Sequence, residues 1–101
     1  MSVERIINVL ERFGFKRIEA EVYVYLAKKG SLKAKDLADA LKIPKRQLYS
    51  ILKNLQAKGV VTACHKQTTT FSALDFEKTL DLLVKDNIEQ AKTIKETLEK
   101  L

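Results

Sequence analysis

Residues 37–61 read LADALKIPKRQLYSILKNLQAKGVV, and this stretch decides the fold. Pro44 loses nothing at the first turn of a helix, where an N–H has no partner anyway, so it marks a start. Leu48, Ile51, Leu52 and Leu55 follow at i, i+3, i+4 and i+7, one buried stripe of a helix over residues 44–58. Gly59 then supplies the left-handed residue that stops it. Upstream, Leu37, Ala38 and Leu41 form the inner face of a short helix over residues 34–41, and only Lys42 and Ile43 lie between. Two short helices joined by a tight turn make a helix-turn-helix.

The flanks complete a winged domain. Gly14 and Gly30 end two further helices, over residues 3–13 (capped at Ser2) and 17–29. The first turns Val3, Ile6, Ile7, Leu10 and Phe13 inward; the second has Ile18, Val22, Tyr25 and Leu26 as its expected stripe. Beyond Gly59, residues 60–65 and 69–73 are rich in β-branched side chains and flank the polar Lys66-Gln67-Thr68. They predict a β-hairpin, and Ser31-Leu32-Lys33 offers a short third strand. Asp75 caps a final helix that runs to the end of the chain, about 26 residues or ~39 Å long. The expected architecture is mainly α with a small β-hairpin. A winged helix-turn-helix, residues 1–74, is followed by a long coiled-coil-like dimerisation helix, residues 75–101.

The final helix carries Leu80, Val84, Asn87, Ala91, Ile94, Leu98 and Leu101, spaced alternately four and three apart. That is a heptad seam, which a projecting helix covers by pairing with a second copy; Asn87 within it would fix register. The competing expectation is that the helix folds back on its own domain.

The net charge of +6 is unevenly spread. Residues 1–27 are neutral, residues 28–66 carry +8, and residues 67–101 carry −2. No acid occurs between Asp39 and Asp75, across the whole of the second helix of the pair and the hairpin. An ordinary solvated face mixes signs, so this points to a polyanion partner, double-stranded DNA. Outside the buried stripe, the expected contact residues are Lys45, Arg46, Gln47, Tyr49, Ser50, Lys53 and Asn54. Arginine can pair with guanine edges, glutamine and asparagine with adenine, and hydroxyls with phosphate. Lys33 and Lys35 would lie on the backbone beside the groove, and Lys66 at the wing tip. Arg46 and Gln47 are the expected base readers.

Other residues have plainer readings. Tyr49 could pack against the wing, and Lys28, Lys29 and Lys58 complement helix dipoles. Cys64 and His65 alternate along a strand, so one should pack and the other be exposed. With one cysteine and one histidine, neither a metal site nor a cofactor is expected, and the catalytic residues expected are none. No signal peptide or membrane span is read, so the expected location is cytoplasmic.

Gly14-Phe15 with Glu19-Ala20-Glu21-Val22-Tyr23-Val24-Tyr25-Leu26 resembles the GLTxxEAxVYxAL opening of the TrmB-like transcriptional regulators. Residues 37–61 are similar to that family's IAxxxGIPRSRVYxVLxxLExKGxV, with its Pro-x-x-x-x-Tyr signature at Pro44 to Tyr49. The likeness covers residues 10–75. It implies a winged helix-turn-helix that binds DNA as a dimer. Three departures stand out: Lys16 and Lys33 replace threonine-like caps, Arg46 replaces a serine, and the chain ends where a sugar-binding domain would follow. The resemblance is therefore to the short, stand-alone members, and leaves the effector open.

The leading expectation is a homodimeric, sequence-specific regulator on a pseudo-palindromic site, with half-sites roughly 34–36 Å or a multiple apart. The alternative is a winged-helix protein-interaction module, which would need an apolar patch on the 44–58 helix or the wing. The outward positions of that helix hold no aliphatic residue.

Overall fold

In the computed structural model, which describes residues 2–101, five helices and one hairpin follow in the expected order. They are α1 (Val3–Arg12), α2 (Arg17–Lys29), α3 (Ala34–Leu41), α4 (Lys45–Ala57), β1 (Val61–His65), β2 (Thr69–Ala73) and α5 (Phe76–Glu99). Pro44 is extended and stands just before α4 as its N-cap, one residue earlier than a helical start. Asp75 holds the corresponding place before α5, but its side chain makes no capping bond; the turn closes through Thr79 N–H to the Asp75 carbonyl, 2.9 Å.

Helix α2 is the axis of the core. Val22 and Leu26 are buried as expected, but Tyr23 and Val24 are buried where Tyr25 and Ile18 are only partly covered. The single-stripe expectation fails because α2 is packed from several sides, by α1, α4 and β2. A helix enclosed in this way keeps only a narrow polar row, Arg17, Glu21 and Lys28, which explains its β-branched and aromatic run. Leu48, Ile51, Leu52 and Leu55 of α4 are all buried, as their spacing requires.

The hairpin pairs antiparallel from Val61 with Ala73 to His65 with Thr69, leaving Lys66, Gln67 and Thr68 as the loop. Leu32 adds one bridge: its N–H reaches the Phe71 carbonyl at 3.0 Å, and the Phe71 N–H returns to the Leu32 carbonyl at 2.8 Å. The third strand is thus a single residue pair. It anchors the base of the wing to the segment before α3.

Four residues among those described take positive φ, Gly14, Gly30, Lys42 and Gly59, and two of them bear on the site. Lys42, with φ 55°, ends α3 where a glycine would be ordinary. Gly59 has φ 80°, and a Cβ there would lie 3.2 Å from Leu82 Cδ2, so the α4–β1 turn passes close under α5.

Helix α5 is bound to the body only at its start. Thr79 and Leu83 are buried, while Val84, Ile88, Ile94, Leu98 and Leu101 are 47–95% exposed. The Tyr23 hydroxyl donates to the Leu74 carbonyl and lies 3.0 Å from Thr79 Oγ1. Burial raises the Tyr23 phenol above its ordinary value, which keeps the hydroxyl available as a donor. This pairing joins the root of α5 to the middle of α2.

Candidate nucleic-acid interface

The outward side of α4 is set by its inward one. Four leucine and isoleucine side chains bury one stripe, so Arg46, Tyr49, Ser50 and Lys53 stand opposite it, all exposed. Lys45 and Gln47 occupy the flanks near the helix start and are exposed as well. Tyr49 is 52% exposed, so it does not pack against the wing.

No side chain caps α4 or α3. The first N–H groups of each helix therefore remain free, at the positive end of the dipole, beside Lys45 and Arg46 in one case and Lys33 and Lys35 in the other. Replacing a threonine-like cap by Lys33 leaves those N–H groups to an external acceptor and adds a cation next to them. Lys35 and Lys45 also line one hollow of about 300 Å³ between α3 and α4, shared with Asp39 and Ile43. Lys66 is exposed at the hairpin tip.

Cations at this surface are unpaired. Among the described residues, ion pairs join Arg17 to Glu4, Glu11 and Glu21, and Lys58 to Glu19. None involves Lys33, Lys35, Lys45, Arg46, Lys53 or Lys66. The anion-rich Arg17 cluster ties α1 to α2 and contains none of these residues.

Two expectations need correction. Asn54 is exposed, but its amide donates to Glu19 Oε2 at 3.2 Å, so it faces α2 and is not a free base reader. Cys64 and His65 are both exposed, where one was expected to pack. The hairpin extends past the body at that point, so neither face of the strand end is covered; His65 Nδ1 meets only Thr69 Oγ1, at 3.2 Å.

Glu19 is the residue that sequence reasoning missed. It is 3% exposed, accepts the Lys16 N–H at 2.9 Å and the Asn54 amide, and lies 3.8 Å from Lys58 Nζ. It thus caps α2 from within and compensates for the lysine at the cap position. At the same time it holds the last two turns of α4. The Glu-Ala-Glu run was the available signal, but nothing in it distinguishes the buried carboxylate from the exposed Glu21.

On α5, Leu80 is half-buried and Val84, Ala91, Ile94 and Leu98 are exposed, as is Leu101 just past its end. Asn87 lines a cleft against Phe13 and Phe15 beside that row. No helix among the described residues is long and apolar enough to cross a membrane.

Residues 10–77 match the family model described as the sugar-specific transcriptional regulator TrmB. The chain belongs to the TrmB family. It is 29% identical over 101 residues to the HTH-type sugar sensing transcriptional regulator TrmBL1 of Pyrococcus furiosus, spanning all of this chain and 30% of that regulator. The structure of TrmBL2, described as an archaeal chromatin protein with a novel mode of DNA binding, superposes with a TM-score of 0.87. Identity there is 27%, over 99% of this chain and 39% of that one. This TrmB-family chain therefore spans about a third of the length of those relatives. At 20% identity, Staphylococcus aureus MepR in its DNA complex shares the fold, with a TM-score of 0.61 over 90% of this chain and 81% of that one. The architecture is a winged helix-turn-helix of a transcriptional-regulator family, not of an enzyme family.

Proposed function

We propose that the chain recognises specific double-stranded DNA sequences as a homodimeric transcriptional regulator. Helix α4 enters the major groove, and the wing, residues 60–73, lies on the flanking groove or backbone. The observation that carries this reading is the unpaired, cation-rich surface of α4. Arg46 and Gln47 read base edges, Lys53, Tyr49 and Ser50 hold phosphates, and Lys33, Lys35, Lys45 and Lys66 extend the backbone contact. Asn54 supports the reader from behind. TrmBL2 and MepR, both described with DNA, support the choice of partner.

Pairing is assigned to residues 75–101. Leu80, Val84, Ala91, Ile94, Leu98 and Leu101 form the row, with Asn87 at its edge, and a lone helix would leave most of it in water. A two-fold pair presents two copies of α4 and so favours a pseudo-palindromic site.

A gel-shift series over salt with selected and scrambled duplexes tests the reading. Each phosphate contact should contribute about 0.9 to the slope of log K against log salt. Lys53→Ala should weaken all duplexes alike, whereas Arg46→Ala should also flatten preference at one or two base pairs. Affinity that does not change with salt would refute the proposal.

A further inference from the structure

Where α5 leaves the body it stands off from the α1–α2 turn and the end of α4, and the gap is a cleft of about 270 Å³. Phe13, Phe15, Leu82 and Leu83 make its walls apolar. Lys58 closes one side from the end of α4, and Asp86, Asn87 and Gln90 line the side formed by α5. None of these residues belongs to the surface assigned to DNA, and Asn87 alone among them stands at the edge of the proposed pairing row.

The polar groups are unequally free. Asp86 already accepts from the Gln90 amide at 2.9 Å. Lys58 has three donors and, among the described residues, one ion-pair partner, Glu19, at 3.8 Å. Glu19 in turn is served at shorter range by the Lys16 N–H and the Asn54 amide. The Lys58 ammonium otherwise lies 4.4 Å from the centre of the Phe15 ring. An under-used cation at the edge of an aromatic-lined cleft suits an anion carried on a flat apolar body.

We propose that this cleft binds a small aromatic carboxylate. The ring lies against Phe13, Phe15 and Leu83, the carboxylate pairs with Lys58, and the Asn87 amide is a second donor. The volume, below the usual ~300–1,000 Å³ of drug-sized pockets, limits the ligand to one ring or a compact pair. Because the site is shared between the body and α5, an occupant bears on the angle between them, and hence on the spacing of the two reading helices. That consequence rests on the DNA-binding reading; the binding of the carboxylate does not.

The test is an NMR titration of the full chain with benzoate, benzamide and benzylamine, without DNA. Benzoate should bind saturably, with shifts confined to Phe13, Phe15, Lys58, Leu83, Asn87 and their neighbours. Benzamide should bind at least about tenfold more weakly, the loss of one charge-assisted hydrogen bond. Lys58→Met should weaken benzoate by a similar factor and Lys58→Arg should retain it. Because Lys58→Met also removes the neighbour of Glu19, Asn87→Leu serves as a second variant on the opposite wall and should weaken benzoate while leaving that pair intact. The proposal is overturned if no saturable shifts occur, if they map elsewhere, or if benzylamine binds as tightly as benzoate, which would give the site to Asp86. A chain that binds benzoate but not DNA would refute only the preceding proposal.

Discussion

Replacing Glu19 by alanine should be the most damaging single change to α4 that leaves its proposed DNA-contacting side chains in place. The carboxylate is 3% exposed and accepts two hydrogen bonds, from the Lys16 N–H at 2.9 Å and the Asn54 amide at 3.2 Å. A hydrogen bond to a charged group contributes about 1.5–3 kcal/mol, but the two share one acceptor group and are not additive. Truncation also leaves space beside Asn54 that neighbouring side chains fill only in part. The expected loss is about 3 kcal/mol, a fall in melting temperature of roughly 12–24 °C for a chain of this size. Glu19→Gln keeps the shape: its carbonyl accepts the Lys16 N–H, and the Asn54 amide can turn over to present its oxygen. That variant should lose about 1 kcal/mol, or roughly 4–8 °C. Urea unfolding with hydrogen exchange measures both effects, and exchange should rise first at the end of α4, around Asn54 and Lys58. An alanine variant within about 0.5 kcal/mol of the wild type, or a glutamine variant as unstable as the alanine one, would refute the assignment.

Tyr23→Phe removes the hydroxyl that joins α2 to Leu74 and Thr79, and should cost about 1–3 kcal/mol by urea unfolding; a change below about 0.5 kcal/mol would show that the root of α5 is held by packing alone. The Arg17 guanidinium donates to both Glu4 oxygens, at 2.8 and 2.9 Å, and holds that carboxyl below its ordinary value near 4.5. A lowered folded value means stability that is present above the unfolded value and lost as pH falls through the folded one. Glu4→Gln should therefore show a smaller difference in urea midpoint between about pH 6 and about pH 3 than the wild type, and an equal difference would refute the pairing. Ile94→Glu with Leu98→Glu places charges on two side chains that are 61% and 64% exposed in the single chain. Burying two such residues is worth about 3–6 kcal/mol, so sedimentation should show a dimer weakened at least about hundredfold, and an unchanged mass would sink the pairing proposal.

The elements were legible because their punctuation is local. Gly30 directly follows α2, Pro44 directly precedes α4 and Gly59 stands two residues past its end, and the stripe Leu48, Ile51, Leu52 and Leu55 fixes which side of α4 is free. The outward set Arg46, Tyr49, Ser50 and Lys53 followed from that stripe by subtraction. Asn54 did not, because it lies on the flank where inward and outward sides meet. Gln47, Asn54 and Lys58 are seven and four residues apart and share that flank. Gln47 is beyond the reach of α2, while Asn54 and Lys58 meet a carboxylate that is 35 residues away from Asn54 in the chain. Periodicity places a residue on a side of its own helix; what stands opposite is a tertiary fact. The same limit hid the burial of Tyr23, whose hydroxyl partners lie 51 and 56 residues downstream.

Helix α5 carries more than its heptad announces. The spacing through Leu80, Val84, Asn87, Ala91, Ile94 and Leu98 describes one line, but the helix carries two adjacent ones. Thr79, Leu83, Asn87 and Gln90 turn toward the body or its cleft, again in steps of four and three. Val84 and Ile88 turn away, and Ile88, absent from the sequence line, is 61% exposed. A straight helix drifts by about 20° per heptad against a strict seven-residue repeat, so the row that starts at Leu80, beside the intramolecular line, swings toward that line along the chain, and Ile94 lies on nearly the same side of the helix as Leu83. Asn87 falls at the crossing, where a polar side chain can border the cleft without leaving an apolar gap in the pairing row. The side of α5 that serves the body for its first turns is thus continued by an exposed apolar row, the one proposed for pairing, and Asn87 stands where the two meet.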